Sequence, residues 1–275
     1  MLEPAVAYGS IGNSGASAVL NTVLDFLKAP ILNLQNFVQL TGRAFLNIFR
    51  SPHYGGDIAI QADIIGVGSI PLVLLVGFFT GAVITMQMAR ALNQYGASGQ
   101  VGQIVSITLV RELGPVLTAI LVAGRNASGM ASELGSMKVT EQIDAMRALG
   151  TDPVQKLVTP RLIATSVMLP VLTIISDFMG LVGGYIVGCI LLRLTTGSQF
   201  WSSSWQALEY NDVAQGLLKP LIFAIVIALV GCHYGISTTG GTQGVGLSTT
   251  KAVVVSCAWI IVLTYFIGSF FVNLG

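Results

Sequence analysis

The sequence predicts an all-α integral membrane protein, on three observations. Of its 275 residues 53% are hydrophobic and 9% charged, against roughly 25% charged in soluble domains. Several intervals without an acidic or basic side chain exceed the roughly 20 apolar residues that a helix needs to cross a bilayer. The net charge of +1 points to neither nucleic acid nor an acidic ligand, so what matters is where the charges lie.

Ile64 to Ala89 is the first interval, between Asp63 and Arg90. Leu162 to Leu192 is broken only by Asp177, Pro220 to Thr250 carries only His233, and Ala252 to Gly275 carries none. A fifth crossing, Val101 to Gly124, is about 36 Å long as a helix but contains Arg111, Glu112, Gly114 and Pro115. Five crossings are expected because they make the basic residues consistent. With the N-terminus inside, the inner side holds Lys28, Arg43, Arg50, Arg125, Lys138, Arg147, Lys156, Arg161 and Lys251, and the outer side holds Arg90, Arg193 and Lys219. That is the expected excess of cytoplasmic Lys and Arg, and it places the C-terminus outside.

Before the first span, Leu34, Phe37, Val38, Phe45, Ile48 and Phe49 recur at helical spacing, with polar residues such as Asn36, Gln39, Arg43 and Asn47 mostly on other faces. An amphipathic helix in the cytoplasmic interface is expected over about 20–50, the alternative being a second buried hairpin. The extreme N-terminus, "MLEPAVAYGSIGNSG", lacks the basic patch and short apolar core of a secretory signal. Trp201, Trp205 and Tyr210 between the third and fourth spans suggest a short helix at headgroup level on the outer side. Glycines four apart, at Gly77 and Gly81, at Gly180, Gly184 and Gly188, and at Gly231 and Gly235, allow close helix approach. They serve either a dimer or moving interface or packing within the chain. Cys189, Cys232 and Cys257 sit singly in apolar runs and are expected to act as small hydrophobes.

The most polar segment follows the second span, "ASELGSMKVTEQIDAMRALGTDPVQKLVTPR". Thr140 is placed to cap a helix from about Glu141 to Leu149, Glu141 and Asp144 to favour its positive end, and Gly150 to take the left-handed position after it. Val139, Ile143 and Met146 would line one side of it, and Asp152 and Pro153 would start the next helix. Such a helix is either a site for another protein to grip or a solvated connector.

"RELGPVLTAILVAGR", followed by that polar segment, resembles the signature region of the MlaE-type permeases, the membrane subunits of ABC transporters that work with MCE proteins in lipid trafficking. Some fifty consecutive positions, Arg111 to Arg161, agree in order and spacing, and a looser likeness covers most of the chain after about residue 60. The resemblance implies one permease domain over 1–275, with the five-span bundle at 64–275 and a coupling segment at 133–152. It implies a homodimer in a bacterial inner membrane, driven by a separate cytoplasmic ATPase, with an MCE-domain protein on the outer face and phospholipid held between the two copies. The family's coupling role falls on Glu133, Lys138, Thr140, Glu141, Asp144 and Arg147. Its lipid pocket falls on Ile84, Met88, Leu92, Tyr95, Arg111, Glu112 and Leu113.

The chain agrees that energy comes from elsewhere. A phosphate-binding loop needs GxxxxGK[ST], and the nearest stretch, "GTQGVGLS" from Gly241, has Leu247 where lysine should be. It is expected to be a flexible cytoplasmic turn. No cofactor or metal is expected in this chain, and ATP belongs to the partner. No nucleophile and base are spaced for hydrolysis, and His233 reads as structural, so no catalytic residue is assigned. An ion-gradient transporter or channel for an amphipathic substrate is the competing class, since it too needs buried charges and a broken helix, but the break at Gly114-Pro115 has no counterpart in the last two spans. Arg111 and Glu112 point about 100° apart on a helix, so each needs its own partner or water. Asp177 is a candidate partner for Arg111, the alternative being a local hydrogen bond.

Overall fold

A computed structural model of the protein describes residues 31–50 and 54–274. The expected start of the interfacial helix near residue 20, the N-terminal stretch and Lys28 lie outside them. The chain divides into two compact units, residues 1–42 and 43–275.

Helix α1 covers residues 31–48. α2 (Gly55–Ile65) passes through a short 3-10 turn into α3 (Ile70–Gln94), whose Pro71 occupies the first turn, where its missing amide is harmless. α4 (Val101–Thr108), α5 (Gly114–Val122) and α6 (Ser128–Val139) form one rod joined by π turns at Leu109–Leu113 and Ala123–Ala127. α7 (Gln142–Ala148) is the short polar helix, and α8 (Thr159–Tyr185) lies between π turns at Val154–Val158 and Ile186–Leu191. α9 (Gly197–Gln206), α10 (Tyr210–Ile236) and α11 (Gly241–Leu274) complete the chain. Among the described residues there is no strand, and five helical runs are long and apolar enough to cross a membrane: Gly55–Gln94, Ser98–Val139, Val154–Leu191, Tyr210–Ile236 and Gly241–Phe271.

The expected helix class and the five spans are therefore present, but the boundaries differ. Lys219, counted above as an outer-face cation, lies inside α10 and is fully buried. Lys251 lies inside α11, not between spans. The turn between α10 and α11 is made instead by Gly240 and Gly241, whose φ values of 86° and 67° suit glycine. "GTQGVGLS" is consequently the first part of α11 and not a flexible turn, tied to the end of α10 by the Thr238 hydroxyl donating to Ser248 Oγ at 2.9 Å.

The glycine ladders are used in packing within the chain. Gly81 of α3 lies on the backbone of Gly180 in α8, Gly77 on Ser176, and Gly183 on the carbonyl of Phe78. Gly235 of α10 sits against Ala131 and Leu134 of α6. A side chain at Gly81 would overlap the Gly180 carbonyl, so this contact exists only because Gly81 lacks a Cβ. Around them lies a core of Val73, Ala119, Val122, Leu169, Phe223 and Ile227.

At the α9 end a second cluster joins Ile84, Val101, Val105, Leu109, Leu181 and Phe200. Trp205 and Tyr210 are exposed there as an interfacial position requires, whereas Trp201 turns inward beside Tyr185 and Phe200. In the part of α1 from residue 43 on, Phe45 and Leu46 are exposed while Ala44 and Asn47 are buried, Asn47 donating to Asp152 Oδ2 at 3.1 Å.

Replacing Gly81 with valine is expected to destabilise the fold by at least about 1–3 kcal/mol, the usual penalty of overpacking. Thermal unfolding of the purified protein, followed by size-exclusion chromatography, measures this.

Candidate functional site

The interruption of the rod after the π turn at Leu109–Leu113 begins with a missing hydrogen. Pro115 has no amide N–H, so the carbonyl one turn earlier, that of Arg111, receives no helical hydrogen bond from it. A membrane interior supplies no water to replace that bond. The substitute comes from α10, where the Lys219 ammonium donates to the Arg111 carbonyl at 2.7 Å and to Glu112 Oε1 at 2.6 Å. Lys219 is fully buried, while the Glu112 side chain is 48% exposed. An ammonium out of water carries a desolvation penalty of several kcal/mol, which these two short, charge-assisted bonds offset.

Arg111 turns to a different part of α10. Its Nε lies 3.0 Å from Asp212 Oδ1, with side-chain exposures of 39% and 7%. The other oxygen of Asp212 accepts the backbone N–H of Glu209 at 3.1 Å, half of a capping box that starts α10. One carboxylate therefore starts a helix and holds a guanidinium. The 100° separation of adjacent residues is met as expected, by two independent ion pairs. Asp177 is not the partner of Arg111: it lies on α8 with Oδ1 packed against Gly114 and without a hydrogen bond. Depth in the membrane made it a candidate, but Asp212 and Lys219, seven residues apart and so on one face of α10, are the groups that face Arg111 and Glu112.

Of the remaining candidate lipid-pocket residues, Ile84 is buried in the α9-end cluster, and Met88, Leu92 and Leu113 are half-buried against it. Tyr95 stands apart, largely exposed at the end of α3. The structure thus groups Ile84, Met88, Leu92 and Leu113 on one apolar surface and directs the charges of Arg111 and Glu112 toward α10. Asp212 and Lys219 were missed by sequence reasoning, the first falling in the stretch read as a short outer interfacial helix and the second counted as an outer-face cation; their spacing of seven residues was the signal that could have found them.

At the opposite end of the rod, α6 and α7 form a charged corner. Lys138 Nζ lies 2.7 Å from Asp144 Oδ2, and Arg147 Nη1 lies 3.2 Å from Asp144 Oδ1. The hydrogen bond from Lys138, with the charges of Lys138 and Arg147, holds the Asp144 carboxyl below its ordinary range. Glu133 pairs at 2.8 Å with Arg161, which is buried and also donates to the Leu157 carbonyl, pinning α6 to the foot of α8. Thr140 does not cap α7. Its hydroxyl donates to the Ser136 carbonyl at 2.9 Å, finishing α6, and Glu141 makes the reversal with a left-handed φ of 59°. The cause is the length of α6, which reaches Val139 and leaves no extended residue to act as a cap. Gly150 takes the expected left-handed position, and Asp152 Oδ1 accepts the Val154 N–H at 3.0 Å as a start signal for the next helix. Ile143 is buried and anchors α7, while Leu149 at its end is 84% exposed. An apolar side chain that far from any packing surface is available to a partner.

A family model described as Permease MlaE matches residues 58–270. A probable ABC transporter permease protein of Synechocystis sp. is 42% identical over 234 residues, covering 85% of this chain and 87% of the relative. One from Rickettsia typhi is 39% identical over 224 residues, covering 82% and 86%. The chloroplastic protein TRIGALACTOSYLDIACYLGLYCEROL 1 of Arabidopsis thaliana is 34% identical over 232 residues, 84% of this chain and 66% of the relative.

Replacing Lys219 with methionine strands Glu112 and the Arg111 carbonyl, and is expected to destabilise the protein by at least about 1–3 kcal/mol; adding Glu112→Gln should recover part of the loss in thermal unfolding. A carboxyl with a depressed pKa contributes stability above its unfolded value, near 3.8 for Asp144, and loses it as the pH falls through the folded value. Hydrogen exchange over residues 136–150, corrected for intrinsic rates, should therefore stay level from pH 8 to 5 and quicken only below about pH 4.

Proposed function

Because the chain belongs to the MlaE family of ABC transporter permeases, we propose that it moves phospholipid between membranes as the membrane subunit of an ATP-driven transporter. It works as a homodimer, with a separate ATPase on the cytoplasmic face and an MCE-domain protein on the outer face.

The observation that carries this reading is the unequal exposure of the ion pairs. Asp212 and Lys219 are buried, whereas Arg111 and Glu112 keep a large part of their side chains exposed within a spanning segment. Half-exposed charges at that depth cannot face acyl chains; they face a cavity or another protein surface. Beside them Met88, Leu92 and Leu113 offer apolar surface. A chamber between two copies, with a guanidinium for a phosphate and aliphatic walls for acyl chains, suits an amphiphile with an anionic headgroup. The Arabidopsis relative's name contains that of a glycerolipid, which agrees with a lipid cargo.

We place the chain in a bacterial inner membrane, and the charge distribution supports a cytoplasmic N-terminus there. With Lys219 buried in the bundle, Arg90 and Arg193 are the basic residues left to the outer side in the five-span arrangement. That puts α7 in the cytoplasm, where Leu149, Glu141 and Arg147 are presented to the ATPase. Of the assigned coupling residues, Lys138 and Asp144 keep the corner rigid and Glu133 fastens it to Arg161. Movement of the ATPases would then pass through α6 to the two π turns of the rod, where helical bonding is already loosened.

Replacing Arg147 with glutamate and Leu149 with aspartate is expected to lower the copurifying ATPase about tenfold or more, with the permease still inserted in the membrane. Reconstituted with that ATPase, the unaltered protein should transfer phospholipid only while ATP is hydrolysed, and Arg111→Leu should reduce the phospholipid that copurifies. Transfer driven by an ion gradient without any ATPase would overturn the reading.

A further inference from the structure

The charges around Gly114-Pro115 cancel in pairs, Arg111 with Asp212 and Glu112 with Lys219. Asp177, packed against Gly114, is left over. Among the described residues it has no ion pair, its Oδ1 has no hydrogen-bond partner and is sealed against Gly114, and the residue is 9% exposed. What remains exposed of it lines a groove of about 210 Å³ between α8, α10 and the end of α9, whose walls include Ile174, Phe178, Trp205 and Leu217. Every other lining residue is apolar or glycine, apart from the Trp205 indole.

An unpaired carboxylate in such a place requires a proton, water or a cation. Ordered water needs two to four polar partners, which these walls do not supply. A proton neutralises the carboxyl but still leaves Oδ1 without a hydrogen-bond partner. An ammonium supplies both the missing charge and N–H donors, and the aromatic rings of Phe178 and Trp205 are surfaces to which cations are attracted. An alkyl chain matches the aliphatic remainder. We propose that this groove is a binding site for an amphiphile with a primary ammonium group, a long-chain amine or the amine head of a lipid, with Asp177 as its counter-ion.

The groove shares no lining residue with those assigned to the cargo, and the proposal requires only that the chain sit in a membrane. Binding is measured without ATPase or ATP, so failure here leaves the transport reading untouched. Trp201→Phe and Trp259→Phe in the full chain leave Trp205 as the single tryptophan, a reporter in the groove wall. In maltoside micelles, at equal mole fraction of probe, a chain-brominated undecylamine is expected to quench Trp205 with an affinity about tenfold or more above that of the matching brominated undecanol. Asp177→Asn should bring the amine down to the level of the alcohol and leave the alcohol unchanged. A chain-brominated phosphatidylethanolamine that quenches equally well identifies the lipid amine as a source of the ligand; quenching by the free amine alone assigns the site to simple amines. Equal quenching by amine and alcohol in the Trp205 protein, a comparison that does not depend on the folding of Asp177→Asn, would overturn the proposal. So would undiminished amine selectivity in a folded Asp177→Asn protein.

Discussion

Pro115 cannot donate the hydrogen bond that the Arg111 carbonyl would receive in an unbroken helix, and the bilayer holds no water to stand in. The Lys219 ammonium fills that role while also neutralising Glu112. The arrangement around Pro115 follows from this. α10 must pass close enough for a lysine to reach, Gly216 meets the rod at Val110 where a side chain would crowd it, and Arg111 is turned toward the start of α10, where Asp212 meets it. A defect in one helix is thereby converted into a joint between two.

The two ends of the rod differ in how they are held. Near Pro115 the contacts are buried or half-buried and join distant parts of the chain, so loosening them exposes groups that have no other partner among the described residues. Around α7 the Lys138, Asp144 and Arg147 charges are substantially exposed, where solvent and salt weaken each pair. Shape there is fixed more by Ile143 in its socket and by the left-handed Glu141 and Gly150 on either side. Such a corner keeps its form while its charges remain open to exchange with another surface.

The spans and the interruption at Gly114-Pro115 were legible because both depend on local chemistry: runs without charge, and a proline after two ionised residues. The need of Arg111 and Glu112 for separate partners also followed from helix geometry alone. The partners themselves did not. Lys219 stands next to Pro220 before a long uncharged run, which is how the edge of a span reads, and its burial depends on an acid more than a hundred residues earlier in the chain. Thr140 has the composition of a helix cap, yet its hydroxyl is taken by the preceding helix. A left-handed glutamate has no sequence signature at all. For Lys219 a contact between elements decided between two locally acceptable outcomes, and for Thr140 and Glu141 the length of α6 did.

The dual bonding at the joint also gives each ion pair a fixed polarity. Asp212 must accept the Glu209 N–H as well as face Arg111, and an arginine in its place, having no acceptor, could not do so. Lys219 must donate to a carbonyl as well as to Glu112, which a carboxylate in its place could not do. Exchanging acid for base across either pair would keep the Coulomb attraction and still break the joint. The two pairs therefore behave as keyed connectors, and an inherited change on the rod has no mirror-image compensation on α10.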